Sequence, residues 1–198
     1  MKLKMKDIIE LTEEIRKFTQ EHVKKTRYEH SVRVADMCAR LCRLFSLDAD
    51  AGYLAGIGHD MCKDFSAQEL IELAAKDGNE IIPYEMATPS LLHGRAAAVM
   101  MKEKFGIDNK DILEAVANHT SGIMDMCDLT RCLFIADKIE PGRPQSTEYY
   151  RERLLKMNLD QMFYAVLYEN YCYILKKGYE IYPGTEEMVK KYKVDLPF

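Results

Sequence analysis

Long apolar runs are missing from this sequence, and no stretch approaches the roughly 20 consecutive apolar residues that a membrane-crossing helix requires. Lys2, Lys4 and Lys6 stand near the start with no apolar segment behind them to act as a secretory signal core. The expectation is a cytoplasmic protein with no membrane partner. Positive charge is not in excess either. The formal net charge is −4, which gives no general attraction to nucleic acid, so a polyphosphate ligand must be gathered by local cations and a metal. The six cysteines, Cys38, Cys42, Cys62, Cys127, Cys132 and Cys172, never form a Cys-x-x-Cys pair. They read as free thiols, most of them buried, rather than a thiolate metal site or a redox motif. Internal repeats, low-complexity linkers and the sustained polar–apolar alternation of a half-buried strand are absent as well. At 198 residues, 47% hydrophobic and 30% charged, the chain suits one well-buried core. The expectation is one all-α domain spanning residues 1–198.

Apolar spacing is helical almost throughout. A first amphipathic segment covers about Lys6 to Thr19, and a second runs from Arg27 to Phe45, with His30 one turn before Val34 on its apolar stripe. The stretch from Asp50 to Met61 is rich in small residues, which suits a helix that approaches its neighbours closely and ends at His59-Asp60. Ser66 and Glu69 form a capping-box pattern for a helix from Ala67 to Lys76, and the stretch Asp77 to Ala87 reads as a loop. Thr88-Pro89 signals a helix start that places His93 in the second turn of a helix ending near Gly106. Asp108 is the expected cap of a helix that turns His119 inward, and Asp128 that of another running to Asp137. Pro141, Gly142 and Pro144 then break the chain. Helices from about Glu148 to Lys156 and Leu159 to Lys177, a loop from Gly178 to Thr185 and a last helical turn complete the body.

What stands out against this background is an order of side chains: His30, His59-Asp60, His93, His119, Asp137. Four of the five histidines and two carboxylates fall on or beside apolar stripes of different helices. Imidazole and carboxylate together are the donor set for a borderline divalent ion such as iron, manganese, zinc or cobalt, so the chain reads first as a metallohydrolase. Asp137 closes the apolar run Cys132 to Ala136, where an unpaired carboxylate costs on the order of several kcal/mol, so something cationic has to meet it. A single inward histidine is commonly just a hydrogen-bonded core residue, but six such groups together point to a metal. His22, among Glu21, Lys24 and Lys25, reads as solvated. Lys63 follows Asp60 by three residues and His59 by four, so on a continuing helix its ammonium faces the same side and can neutralise a phosphate. Arg143, in the turn just past Asp137, offers a planar fork for another.

The order of these residues and the words around them, RYEHSVRVADMC, AGIGHDMCKD, HGRAAA, NHTSG and LFIADKIEPGR, resemble the HD-domain phosphohydrolase superfamily. Within it the chain is most similar to the YqeK-type branch of symmetrical bis(5′-nucleosyl)-tetraphosphatases. The resemblance runs from about Arg27 to Thr185. It implies a helical HD-domain bundle with the metal-site core at about 27–144, and C-terminal helices plus a nucleotide-closing loop at about 147–198. It implies that His30, His59, Asp60 and Asp137 hold an iron-type metal. His93 and His119 then contact substrate phosphates or hold a second ion, with Asp60 as the bridge. The late word KGYEIYPGT, Lys177 to Thr185, matches the part of the family that closes over the nucleotide and brings Tyr182 and Thr185 to substrate. Here the chain departs from the family, with Tyr182 where histidine is expected.

The implied activity is hydrolysis of diadenosine tetraphosphate to two ADP by a metal-bound hydroxide. Catalysis then rests on Asp60, Lys63, His93 and His119, and substrate binding on Lys63, His93, His119, Arg143, Tyr182 and Thr185. Iron is the first choice of ion, with manganese, cobalt and zinc acceptable to the same donors. Alternatives left open are a broader HD-type hydrolase of nucleotides or cyclic dinucleotides, a nucleotide-binding sensor without turnover, and a structural metal that only staples helices. The partners expected are the nucleotide substrate and its ADP product, with no nucleic acid, and surface patches able to support a homodimer.

Overall fold

The computed structural model describes residues 5–197, which leaves Lys2 and Lys4 outside the described residues. These residues form α-helices and short 3-10 turns with no strand among them. The helices are α1 (Met5–His22), α2 (Lys25–Leu44), α3 (Ala49–Gly58), α4 (Ala67–Ala74), α5 (Pro83–Ala87), α6 (His93–Phe105), α7 (Lys110–Asn118), α8 (Asp128–Ile139), α9 (Glu148–Leu154), α10 (Leu159–Lys176) and α11 (Thr185–Lys191). None of the described helices is long and apolar enough to cross a membrane.

The fold grows around α3 and α8. α3 is buried on nearly every side, packed between α1, α2, α7 and α8, and its small residues are what make that possible. A Cβ on Gly56 would stand 2.5 Å from the Cα of Ala35, so the backbones of α2 and α3 touch there and no larger residue fits. Gly94 does the same for α6 against α7, where a Cβ would meet the Val116 carbonyl at 2.7 Å. The run Cys132 to Ala136 makes α8 the central rod, with Phe134 packed edge-on against Phe163 of α10 at 5.4 Å between ring centroids. Ile15, Leu41, Leu54, Ile57 and Leu133 are fully enclosed in the same core. Each such side chain contributes about 1.5–3 kcal/mol of burial.

Side-chain caps set several helix starts. Asp48 accepts from the amides of Asp50 and Ala51, and capping boxes pair Ser66 with Glu69 and Asn158 with Gln161. Elsewhere the structure corrects the expected caps. Asn109, not Asp108, caps α7, accepting from the amides of Asp111 and Ile112, because either residue is a competent cap and the helix starts one position later. Cys127 occupies the cap position of α8, and Asp128 is instead the first helical residue, pairing with Arg131 one turn on. Thr88 makes no side-chain cap, since its backbone (ψ 68°) is not extended. Pro89–Leu92 is a 3-10 turn, so His93 opens α6 rather than lying in its second turn. The expected loop 77–87 ends in the five-residue α5, started by Pro83 and closed back by Glu85 accepting from the Ile82 amide. The cysteines are free: Cys38, Cys42, Cys62 and Cys132 are buried, Cys127 is half-buried and Cys172 is exposed.

Candidate metal centre

Helix ends build the centre. His59 caps the C-terminus of α3, His93 opens α6 and His119 caps α7. All three are held in one way: the ring Nδ1–H donates to the carbonyl three residues earlier. His59 bonds Gly56 at 2.6 Å, His93 bonds Ser90 at 2.6 Å and His119 bonds Val116 at 2.8 Å. A carbonyl only accepts, so the proton of each ring sits on Nδ1, and Nε2 is turned toward a common point. His30, from the inner face of α2, is held from outside by Glu140, whose Oε1 lies 3.0 Å from Nδ1, and it presents Nε2 to Asp137 Oδ1 at 3.1 Å.

The donors converge closely. His30, His59 and Asp137 offer ligand atoms all within 4.8 Å of one another, as do His59, Asp60 and His119. His93 Nε2 is 3.0 Å from Asp60 Oδ1 and 3.0 Å from His119 Nε2. The His59 Nε2 atom is fully enclosed and has no hydrogen-bond partner. A buried imidazole nitrogen left unpaired costs about 1–3 kcal/mol, and a cation among these donors removes that cost. On this ground the residues present fit a divalent metal ion.

The electrostatics agree. Burial works against the Asp60 carboxylate, but His59, His93 and His119 outweigh it and hold the carboxyl well below its ordinary range. Asp137 is likewise opposed by burial and held well below by Lys138, His30, His59 and Arg143. Burial pushes His59 and His119 down, His119 the further because His59 and His93 face it, so both stay neutral and keep a lone pair. His30 shifts the other way: burial lowers it, but the bonds to Asp137 and Glu140 prevail and raise it. Burial also lowers the ammonium of Lys63.

Eight of the residues expected at the site meet in one cleft of about 430 Å³: His30, Asp60, Lys63, His93, His119, Asp137 and Arg143 line it, with His59 enclosed beneath. Lys63 reaches it by a different route from the one expected. α3 ends at Gly58 and the chain turns through two tight backbone bonds, Met61 to Gly58 and Lys63 to Asp60, yet Lys63 Nζ lies 3.1 Å from His93 Nδ1. Arg143 clasps Asp137, its Nη2 at 2.6 Å from Oδ1 and its Nε at 2.8 Å from the backbone carbonyl. Tyr182 and Thr185 are not in this cleft. They line an adjoining hollow of about 200 Å³ with Glu85, Arg95 and Asn118, and only Thr120 is common to both spaces. The Tyr182 hydroxyl donates to Glu85 Oε1 at 3.2 Å. His22 is exposed and stacks on Phe18.

Five residues at the centre escaped the sequence reading. Arg27 pairs with Asp60 (3.3 Å), Lys138 with Asp137 (3.1 Å), and Arg33 with Glu140, while the Thr120 hydroxyl lies 3.1 Å from His119 Nε2. Spacing could have found Arg27 and Glu140, one helical turn from His30 and Asp137 on the same faces. The cation expected beside Asp137 is supplied twice by the chain itself, through Lys138 and Arg143.

The profile of the HD domain matches residues 27–142. The chain belongs to the HD-domain family. The six metal-type donors all fall inside that HD domain, Arg143 follows it by one residue, and Tyr182 and Thr185 lie beyond it. A symmetrical bis(5′-nucleosyl)-tetraphosphatase of Staphylococcus aureus is 29% identical, over 91% of this chain and 93% of its own. One from Halalkalibacterium halodurans is 31% identical, over 83% and 87%. A crystal structure from Clostridium acetobutylicum, described as a predicted HD superfamily hydrolase involved in NAD metabolism, superposes with a TM-score of 0.82 at 27% identity. It covers 91% of this chain and 95% of that one.

Proposed function

We propose that this HD-domain protein hydrolyses diadenosine tetraphosphate symmetrically, giving two ADP. The observation that carries the reading is the enclosed, unpartnered His59 Nε2, which belongs both to the donor group with His30 and Asp137 and to the one with Asp60 and His119. The names of the relatives from S. aureus and H. halodurans support the substrate. In this reading residues 1–198 act as one catalytic unit, with the metal held in the part at 27–144 and the nucleotide closed over by the part at 147–198.

His30, His59, Asp60 and Asp137 hold the ion, and His93 and His119 either hold a second ion or meet the substrate phosphates. Iron is the proposed native metal, with manganese, cobalt and zinc accepted by the same imidazole and carboxylate donors. When bound, such an ion supplies a water whose pKa falls from 15.7 to roughly 7, a nucleophile at neutral pH. The chain's own groups do the positioning on which phosphoryl transfer mostly depends. Arg27 and Lys138 neutralise the carboxylates from outside and fix them in place. Lys63 and Arg143 reach into the cleft and take up charge on the phosphate oxygens. His93, anchored through Nδ1–H to Ser90, turns Nε2 toward Asp60 and His119 at the middle of the cleft. A bare sensor would have no use for this donor set, and the core packs around Phe134 and Leu41 without it.

The test is one assay. Protein loaded with ferrous iron under anaerobic conditions is incubated with diadenosine tetraphosphate, and the nucleotides are separated. ADP as sole product is the expected result. AMP with ATP, or an untouched substrate while a cyclic dinucleotide is cleaved, would overturn the assignment.

A further inference from the structure

The cleft of the metal centre continues on its far side into a larger space of about 610 Å³ that no expected site residue beyond Asp137 and Arg143 touches. Thr120, Asp137 and Arg143 line both spaces, so they are joined across the Arg143 guanidinium. The hollow of Tyr182 and Thr185 joins the centre at Thr120 from another side. The metal cleft thus has a polar middle and two side chambers.

The walls of the large chamber have an unusual origin. The first half of α10 is core, with Met162, Phe163 and Leu167 buried, but its second half is half-buried or exposed, and Tyr171 there donates to Glu186 of α11. Glu169, Asn170, Tyr173 and Ile174 continue, at i+3, i+4, i+7 and i+8, a stripe that begins at the buried core residue Val166 and lines the chamber. Tyr150 from α9 stands opposite, its hydroxyl donating to Glu169. Tyr173 is 55% exposed, and the Asn170 carboxamide makes no hydrogen bond among the described residues. An aromatic face, an amide with a free donor and acceptor, and a carboxylate around several hundred Å³ are the groups that hold a flat heterocycle with polar edges.

We infer that the chamber between α8, α9 and α10 is a second nucleoside subsite. It receives one nucleoside of a dinucleoside polyphosphate, stacked on Tyr173 and read at its edge by Asn170, while the other nucleoside lies toward Tyr182 and Thr185. The inference rests on the proposed hydrolysis of diadenosine tetraphosphate. A substrate with a nucleoside at each end and anionic charge in the middle matches a cationic cleft flanked by two chambers. The Arg143 fork stands where the polyphosphate passes from one space to the next.

The experiment compares diadenosine tetraphosphate with adenosine 5′-tetraphosphate, which carries the same phosphates and a single nucleoside, on the metal-loaded full-length protein. The wild type is expected to prefer the two-ended substrate in kcat/KM. Stacking of a base on an aromatic ring is worth about 1–3 kcal/mol, so Tyr173→Ala is expected to shrink that preference by about tenfold, through KM for the two-ended substrate. Tyr173→Phe, which keeps the ring face, is expected to retain it, and Asn170→Ala to reduce it by a smaller factor. An unchanged preference in Tyr173→Ala, or a loss shared equally by both substrates, overturns the subsite. If the wild type leaves diadenosine tetraphosphate intact, the proposed activity itself has failed, a result distinct from either. Tyr173 is half outside the body, so unfolding temperature serves as the control that the variant is still folded.

Discussion

The metal centre and the C-terminal tier are built on opposite plans. At the centre every donor has a second tie: His59, His93 and His119 to carbonyls three residues back, His30 to Glu140, Asp60 to Arg27, Asp137 to Lys138 and Arg143. In the tier made by the end of α10 and the segment before α11, Tyr173 and Tyr179 are 55% and 63% exposed, and Gly178 and Gly184 turn the chain at positive φ. The contrast teaches where precision is needed. An ion demands donors fixed to within tenths of an ångström, whereas a nucleoside is gripped by surfaces that close over it. Substitutions at the centre should act on metal and turnover, and those in the tier on substrate affinity alone.

The sharpest way to break the comparison is Asp60→Ala. Asp60 faces His59, His93 and His119 and receives Arg27, so its loss removes a donor shared by the whole cluster. Turnover is expected to fall by on the order of 10³-fold, with metal content reduced and the helical circular dichroism kept. Turnover near the wild-type level would remove Asp60 from the centre. Metal analysis and kinetics on the same preparation decide it.

Glu140→Gln comes next. Glu140 is buried, takes Arg33 and the Gly142 amide on one oxygen and orients His30 through the other. Burial opposes its charge, but Arg33, His30 and the Gly142 amide hold its carboxyl below the usual range. The amide variant keeps the shape and loses the charge that steadies the His30 ring. Orienting partners of this kind are worth about 10–100-fold in metal affinity, which titration against a competing chelator measures. An affinity equal to wild type would show that His30 is fixed by Asp137 alone.

Acid should reveal the same architecture in protein stripped of metal. His59 and His119, pushed down by burial, stay neutral in the fold while the unfolded chain takes up protons near pH 6.5, so their contribution is present above that pH and lost below it. His30, raised by Asp137 and Glu140, has the opposite sign and is fully present below pH 6.5. Below pH 6.5 the His30 contribution is constant, so His59 and His119 set the slope, a net loss of up to about 2–3 kcal/mol per pH unit as acidity increases. Unfolding temperature of chelator-treated protein at pH 7.5 and 5.5 reads it. A flat or rising stability would mean that the imidazoles are not enclosed as described.

How much of this was legible in the sequence follows the same division. Helical spacing turned His30 and His119 inward and set Asp137 at the end of an apolar run, because burial imposes a period that a chain cannot hide. The anchoring of three histidines on carbonyls three residues back was not legible. It depends on where α3 and α7 stop and α6 starts, and a boundary error of one residue, as between Asp108 and Asn109, already blurs it. Lys63 was placed at the site for a helix that ends before reaching it. Thr120 and Lys138 gave no signal, since their roles come from how α7 and α8 cross. The tier was the least legible, because its exposed tyrosines carry no period that distinguishes a chamber wall from ordinary surface.

The smallest effect expected is that of Tyr182→Phe. The hydroxyl of Tyr182 donates to Glu85 Oε1, while the other Glu85 oxygen keeps Arg95 at 2.9 Å and the Ile82 amide at 3.1 Å. Removing one bond from a carboxylate that retains two others, at a position water can reach, costs about 1 kcal/mol. The ring still stands edge-on to Tyr84, so the wall keeps its shape. KM for diadenosine tetraphosphate is therefore expected to rise by about fivefold or less, with kcat and bound metal unchanged. A fall in metal content would join what the geometry separates: it would mean that Glu85 and Arg95 transmit the position of Tyr182 through α6 to His93, and that tier and centre move as one.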